Sequence, residues 1–140
     1  QRQVSAQGVT LINKGLSSAP MEMTINSVMN NSYISSIYDV GFYQEGHQIQ
    51  SIVIPTSTGD TEIKQYGLTH IDIVKVDAEG HDFDVIKGFH SAIEEGIIDM
   101  FQFEYNQFTL AARRALRDFF KLFAERYLIC RLLPNGLEAC

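Results

Sequence analysis

The run Ile71-Asp72-Ile73-Val74-Lys75-Val76-Asp77 constrains this chain more than any other stretch. Its apolar residues fall on both parities, the pattern of a β-strand covered on both faces, and such strands belong to parallel sheets packed between helices. Glu79-Gly80 then turns the chain. From His81 to Glu95, Val85, Ile86, Phe89, Ala92 and Ile93 recur at helical spacing, with Asp82 and Asp84 in a first turn where the helix dipole favours acids. Gly96 is placed to stop this helix. Gly88 inside it costs about 1 kcal/mol relative to Ala, so a close helix–sheet contact is expected there.

Ile97 to Glu104 reads as a second buried strand. Phe108 to Tyr127 reads as one amphipathic helix, with Phe108, Ala112, Leu116, Phe119, Phe120, Phe123 and Tyr127 in a single stripe. Leu128 to Leu133 reads as a third strand, closed by the turn signal Pro134-Asn135-Gly136. Strand, helix, strand, helix, strand with short crossovers predicts adjacent parallel strands joined right-handedly, an open α/β sheet flanked by helices.

The first half is less regular. Gly8 to Gly15 predicts a short strand, broken by Ser17, Ser18 and Pro20. Met21 to Asn26 alternates as a half-buried strand does. Asn30 to Gly46 reads as a long polar surface loop whose Tyr33, Ile34, Ile37, Tyr38, Phe42 and Tyr43 pack back in part. Gln48 to Pro55 alternates again, with Pro55 closing the strand or placing it at an edge. Thr61 to Tyr66 reads as a short helix before Gly67.

At 140 residues the chain is long enough for one domain, and 45% hydrophobic residues with nine Phe and six Tyr supply a core. A net charge of -6 argues against a nucleic-acid partner. The basic residues Arg113, Arg114, Arg117, Lys121 and Arg126 are interleaved with acids, as on a solvated helix face. Cys130 and Cys140 form neither a CxxC pair nor a zinc pattern, and Cys130 reads as a small core residue. Asn30-Asn31-Ser32 fits the glycosylation sequon, which matters only in secreted proteins. No apolar run approaches the ~20 residues of a membrane span, and no signal-peptide pattern opens the chain, so a cytoplasmic protein without membrane contact is expected.

In open α/β sheets, ligands bind beyond the carboxyl ends of the strands. Asp77, followed by Glu79, and Glu104 sit at such ends and bring three carboxylates to one rim. Capping of the following helix and pairing with a cation are equally available to them. Lys75 and Asp77, two apart on one strand face, are placed to form an ion pair. His81 is a candidate general base because its unperturbed pKa lies near neutrality; a solvent-facing residue at the helix start is the alternative. Asp77, Glu79, His81 and Asp82 match neither an EF-hand loop nor HExxH, so no metal site is assigned. No GxGxxG, GxxxxGK[ST] or GxSxG is present.

The segment Ile71 to Gly80, followed by Asp84-Val85-Ile86-Lys87-Gly88, resembles the signature of the FkbM family of S-adenosylmethionine-dependent methyltransferases. That signature runs I-D, two hydrophobics, K, a hydrophobic, D-x-E-G, and then a small L-K-G-A-like box. Gln102-Phe103-Glu104-Tyr105-Asn106 resembles the family's next strand end, and Tyr127 to Gly136 its tyrosine-bearing strand and P-x-G turn. Asn13-Lys14-Gly15-Leu16-Ser17 is similar to the earlier N-x-A-L-S strand end, with Lys-Gly in place of x-A.

The resemblance implies a class I, Rossmann-like fold and methyl transfer from S-adenosylmethionine to a hydroxyl of a small molecule or glycan. It implies an in-line displacement with Glu79 as first choice of base, Asp77 and His81 as the other catalytic candidates, Leu16 and Ser17 beside the adenine, and Glu104 toward the substrate. The family's glycine-rich first strand has no counterpart here. The expectation is therefore a single partial domain over residues 1–140 that starts near the third strand of the fold, lacks the first two strands, and is inactive alone. Such a piece is expected to self-associate through an exposed sheet edge. A non-catalytic Rossmann-like remnant or binding module, and a metal-assisted hydrolase using the acidic rim, are the competing readings.

Overall fold

The two runs with apolar residues on both parities are hydrogen-bonded neighbours and run parallel. The structure is a computed structural model that describes residues 8–28, 31–38, 48–123 and 126–140, with backbone alone for 28 and 31–34. Along the chain come β1 (Gly15–Leu16), β2 (Glu22–Val28), β3 (Asn31–Ser36), β4 (Ile49–Ser57), α1 (Gly59–Tyr66), β5 (Ile71–Lys75), α2 (Asp82–Lys87) and α3 (His90–Glu95). Then follow β6 (Ile98–Gln102), α4 (Gln107–Ala111), α5 (Leu116–Phe123), β7 (Cys130–Leu133) and β8 (Gly136–Ala139).

This is a mixed α/β architecture. It is not the single open, mostly parallel sheet that the strand–helix alternation predicts. Among the described residues there are three sheets: β1-β4-β2-β3, β5-β6 and β7-β8. Only β1–β4 and β5–β6 pair in parallel; the other pairs are antiparallel. Part of the expected loop after Asn30 is the strand β3, which folds back on β2 and takes its hydrogen bonds there. Ile37 and Tyr38 are half-buried beyond it, and residues 39–47, with Phe42 and Tyr43, lie outside the described residues. The expected strand over Gly8 to Gly15 shrinks to Gly15–Leu16, the part that meets Thr56 and Ser57 of β4.

Pro55 does not end β4, which runs on to Ser57, but it stands where β4 has no partner on its β1 side. The Thr56 N–H donates to the Met21 carbonyl at 2.8 Å. In the antiparallel register Glu22↔Pro55 the proline nitrogen therefore points away from β2. On that side β1 begins only at Thr56, so the missing N–H breaks no ladder bond.

Two expected long helices are each broken once. His81–Glu95 divides at Gly88 and Phe89 into α2 and α3. The break coincides with a tertiary contact. A Cβ on Gly88 would stand 2.3 Å from the Ser17 carbonyl oxygen, so the helix passes against the end of β1 where only glycine fits. Asp60 of α1 fills the break. Its N–H donates to the Gly88 carbonyl at 2.9 Å, and its carboxylate accepts the N–H groups of Ser91 and Ala92 at 2.9 and 3.0 Å. The helix predicted over Phe108–Tyr127 divides into α4 and α5. Arg113 takes a left-handed φ of 57°, and Asp118 accepts the Ala115 N–H at 2.9 Å to start α5.

Leu128–Leu133 is not a third parallel strand. Pro134-Asn135 makes a turn too short for a crossover, so β7 pairs antiparallel with β8 as a hairpin, Leu132 opposite Leu137. The core lies between β5–β6 and the helices. Val76, Ile86, Ile93, Ile98, Phe119 and Phe123 are buried there. Phe103 stacks on Phe119 at 4.6 Å between ring centroids, and Phe101 meets Phe123 and Tyr127 at 5.3 and 5.5 Å. Such ring pairs contribute about 0.5–1.5 kcal/mol each beyond their buried area. The other face is covered at Ile98 and Ile71 but open further along, where Ile73 and Met100 are each 48% exposed. The strand β5 is thus covered on one face and only in part on the second among the described residues, where its pattern predicts two.

Two glycines should separate steric from conformational cost. Gly88→Ala forces a Cβ into the Ser17 carbonyl and is expected to lower stability by about 1–3 kcal/mol. Gly67→Ala, at φ 62° with open space around it, is expected to cost about 1 kcal/mol. Urea denaturation of the two variants measures the difference.

Candidate active site at the strand tips

The β5–β6 register ends at Lys75↔Gln102, and the Val76 N–H donates to the Gln102 carbonyl at 2.7 Å. Asp77 and Glu104 each stand two residues beyond that last pair, so parallel pairing brings both acids to the same rim. Asp77 also ion-pairs with Lys75 at 3.2 Å, with both side chains half-exposed. Glu104 accepts the Asn106 side-chain amide at 3.2 Å, and Asn106 is in turn the N-cap of α4, boxed with Thr109.

Glu79 lies on the turn between β5 and α2 in the left-handed region, φ 44°, followed by Gly80 at φ 98°. Side-chain-bearing residues seldom adopt that backbone. Its carbonyl accepts the Ser36 hydroxyl at 2.7 Å. A Cβ on Gly80 would come within 2.7 Å of the Phe108 carbonyl oxygen. Burial raises the Glu79 carboxyl above its ordinary value, and the negative charges of Glu104 and Asp77 raise it further; an Asn106 hydrogen bond opposes them and Asp82 adds a smaller push. The rim is therefore a cluster of like charges.

His81 occupies the N-cap position of α2 but makes no side-chain cap bond. Its ring is buried, with Nε2 3.0 Å from the Ser17 hydroxyl. Its Nδ1 has no hydrogen-bond partner among the described residues. Burial holds the imidazole below its ordinary value; Asp84 and Asp82 oppose this and Arg114 adds to it. A cavity of about 350 Å³ opens between the first sheet and β5, lined by Leu16, Met23, Ile54, Val74, Asp77 and His81 among others.

Residues 8–127 match the methyltransferase FkbM domain. The chain belongs to this family. Neither the curated proteins nor the solved structures yield a match. Within this FkbM domain the expected site residues fall into two groups. Asp77, Glu79 and Glu104 meet at the rim. His81, Leu16 and Ser17 meet beneath it, where His81 is not the solvent-facing helix residue of the alternative reading and Ser17, 1% exposed, spends its hydroxyl on the imidazole.

Two contributors to the rim, Asn106 and Ser36, carry no assignment from the sequence, and a third, Asp82, enters only as a first-turn acid and in the group with Asp77, Glu79 and His81 weighed for a metal. Asp82, read there as a first-turn helix acid, is 1% exposed. Asn106 could have been found from Thr109 three residues on, a capping-box spacing. Ser36 had no signal, because it was read as loop. At the amino ends of the same strands, His70, Asp72 and Asp99 bring three ligand-type atoms within 4.8 Å of one another, all on exposed residues. No helix among the described residues is long and apolar enough to cross a membrane.

The His81 shift has a sign that can be checked. Its folded value lies below 6.5, so just under that pH the unfolded chain binds more protons than the native state. The stabilisation is complete above pH 6.5 and is lost as pH falls through the lower folded value. Urea midpoints of the wild type are expected to fall from pH 7.5 to 5.5, and His81→Gln is expected to flatten that fall.

Proposed function

We propose that this FkbM domain is the catalytic part of an S-adenosylmethionine-dependent O-methyltransferase whose acceptor is a hydroxyl of a small molecule or glycan. The observation that carries the reading is the rim: in a member of this family, two parallel strand tips bring Asp77, Glu79 and Glu104 together, with Lys75 ion-paired to Asp77 alone. The donor set suits the cofactor. A cluster of carboxylates whose mutual repulsion already raises Glu79 gains from a neighbouring positive charge, and carboxylates accept hydrogen bonds from ribose hydroxyls. When bound, S-adenosylmethionine supplies an electrophilic methyl group on a positively charged sulfur.

The chain's own residues do the rest. Glu79 takes the acceptor's hydroxyl proton; its raised proton affinity makes it a stronger base than an ordinary carboxylate. Asp77 and Glu104 keep the rim negative and orient polar groups of the ligands. Leu16 offers apolar surface on the cavity wall to the adenine, while Ser17 and His81 hold the end of β1 against α2. Alignment of the acceptor can supply several kcal/mol of the barrier. The glycine-rich grip of the family has no counterpart in these residues.

Isothermal titration of the whole protein with S-adenosylmethionine tests this. Saturable binding is expected. Glu79→Gln is expected to keep affinity within about threefold and to lower methyl transfer by about 10²–10⁴-fold, the range of general-base loss. A whole protein without affinity for the cofactor would leave a non-catalytic binding module as the reading.

A further inference from the structure

Asp82 is a buried acid that the mechanism above does not use. It is the first residue of α2 and is 1% exposed. An acid in that position ordinarily serves the helix it begins, through the dipole or the free N–H groups of the first turn. Here its two carboxylate oxygens take other partners. Oδ2 accepts the Gly80 N–H at 3.2 Å, in the turn before the helix. Oδ1 lies 3.5 Å from the Glu104 N–H, at the long end of hydrogen bonding, beyond β6. One carboxylate thus bridges the two segments that carry Glu79 and Glu104.

We infer that Asp82 is a positioning residue for the acidic rim: its carboxylate ties the turn after β5 to the end of β6 and so sets the spacing between Glu79 and Glu104. The inference rests on the methyltransferase reading of that rim. Only a carboxylate has the two acceptor oxygens and no donor that this bridge needs. Burying a charged group is costly and is weak evidence of a role in stability, since apolar replacements often serve as well. The Glu79 segment is held on its other sides by Ser36 and by the contact of Gly80 with Phe108. Asp82 adds the tie to the second strand.

A thermodynamic cycle read by carbon-detected NMR titration of the Glu79 carboxyl tests this without cofactor or acceptor. In the wild-type protein Glu104→Gln is expected to lower the Glu79 titration midpoint, because the Glu104 charge raises it. In an Asp82→Ala background the same substitution is expected to have less than half that effect. Asp82→Asn, which keeps one acceptor and puts a donor in place of the other, is expected to restore little of it. Simple loss of the Asp82 charge moves the midpoint equally in both backgrounds, so it cancels from the cycle. An undiminished Glu104 effect in Asp82→Ala would overturn the inference. If Asp82→Ala does not fold, the Asn variant decides: loss of amide-exchange protection confined to Gly80 and Glu104 supports the bridge, and unchanged protection at both rejects it. The whole protein's cofactor titration stands apart from this cycle, so failure of the methyltransferase reading shows as absent binding while the coupling is measured regardless.

Discussion

The parallel pairing of β5 with β6 is the constraint on which the rest depends. Its register sets Ile71 beside Ile98 and Lys75 beside Gln102, and every rim residue follows from that alignment. A slip of one residue would turn each side chain to the other face. Phe101 and Phe103 would leave the aromatic cluster around Phe119 and Phe123, and the acids would no longer share an edge. Core packing and site geometry are thus tied to one hydrogen-bond ladder.

A second layer of organisation surrounds Ser17. Its carbonyl sits where Gly88 admits no side chain, its N–H donates to the Ser57 carbonyl at 2.9 Å, and its hydroxyl meets His81. The end of β1 is therefore gripped by the second of the parallel partners, β4, and by α2 together. Through α2 it is linked to Asp84, which pairs with Arg114 at 3.2 Å beyond the end of α4, while the Arg114 guanidinium lies 4.3 Å over the Phe83 ring. These contacts join segments far apart in sequence, and none has a local signature.

What was legible in the sequence was the part governed by short-range periodicity. The strands at Ile71 and Ile97, their parallel relation, the helical stop at Gly96 and the turn at Pro134 all follow from spacing and residue type. The close contact expected of Gly88 is present, but that it is made to Ser17, and that the helix breaks there, has no local signature. The break before α5 depended on a left-handed Arg113, a conformation no arginine announces. β3 was hidden because four of its six residues are Asn or Ser, and its pairing comes from β2 rather than from its own pattern. The rim acids could be named from their positions after apolar runs. Asp82 could not be told from an ordinary helix-start acid, because its distinction is the direction of its hydrogen bonds.

The backbone of Glu79 carries one more implication. A left-handed φ on a residue with a Cβ stores about 1–2 kcal/mol, and glycine at that position would release it while discarding the carboxylate. Thermal robustness and the role proposed for this carboxylate therefore pull in opposite directions at a single residue. Selection of variants for heat tolerance alone would drift toward glycine there and remove the base that the proposed reaction uses.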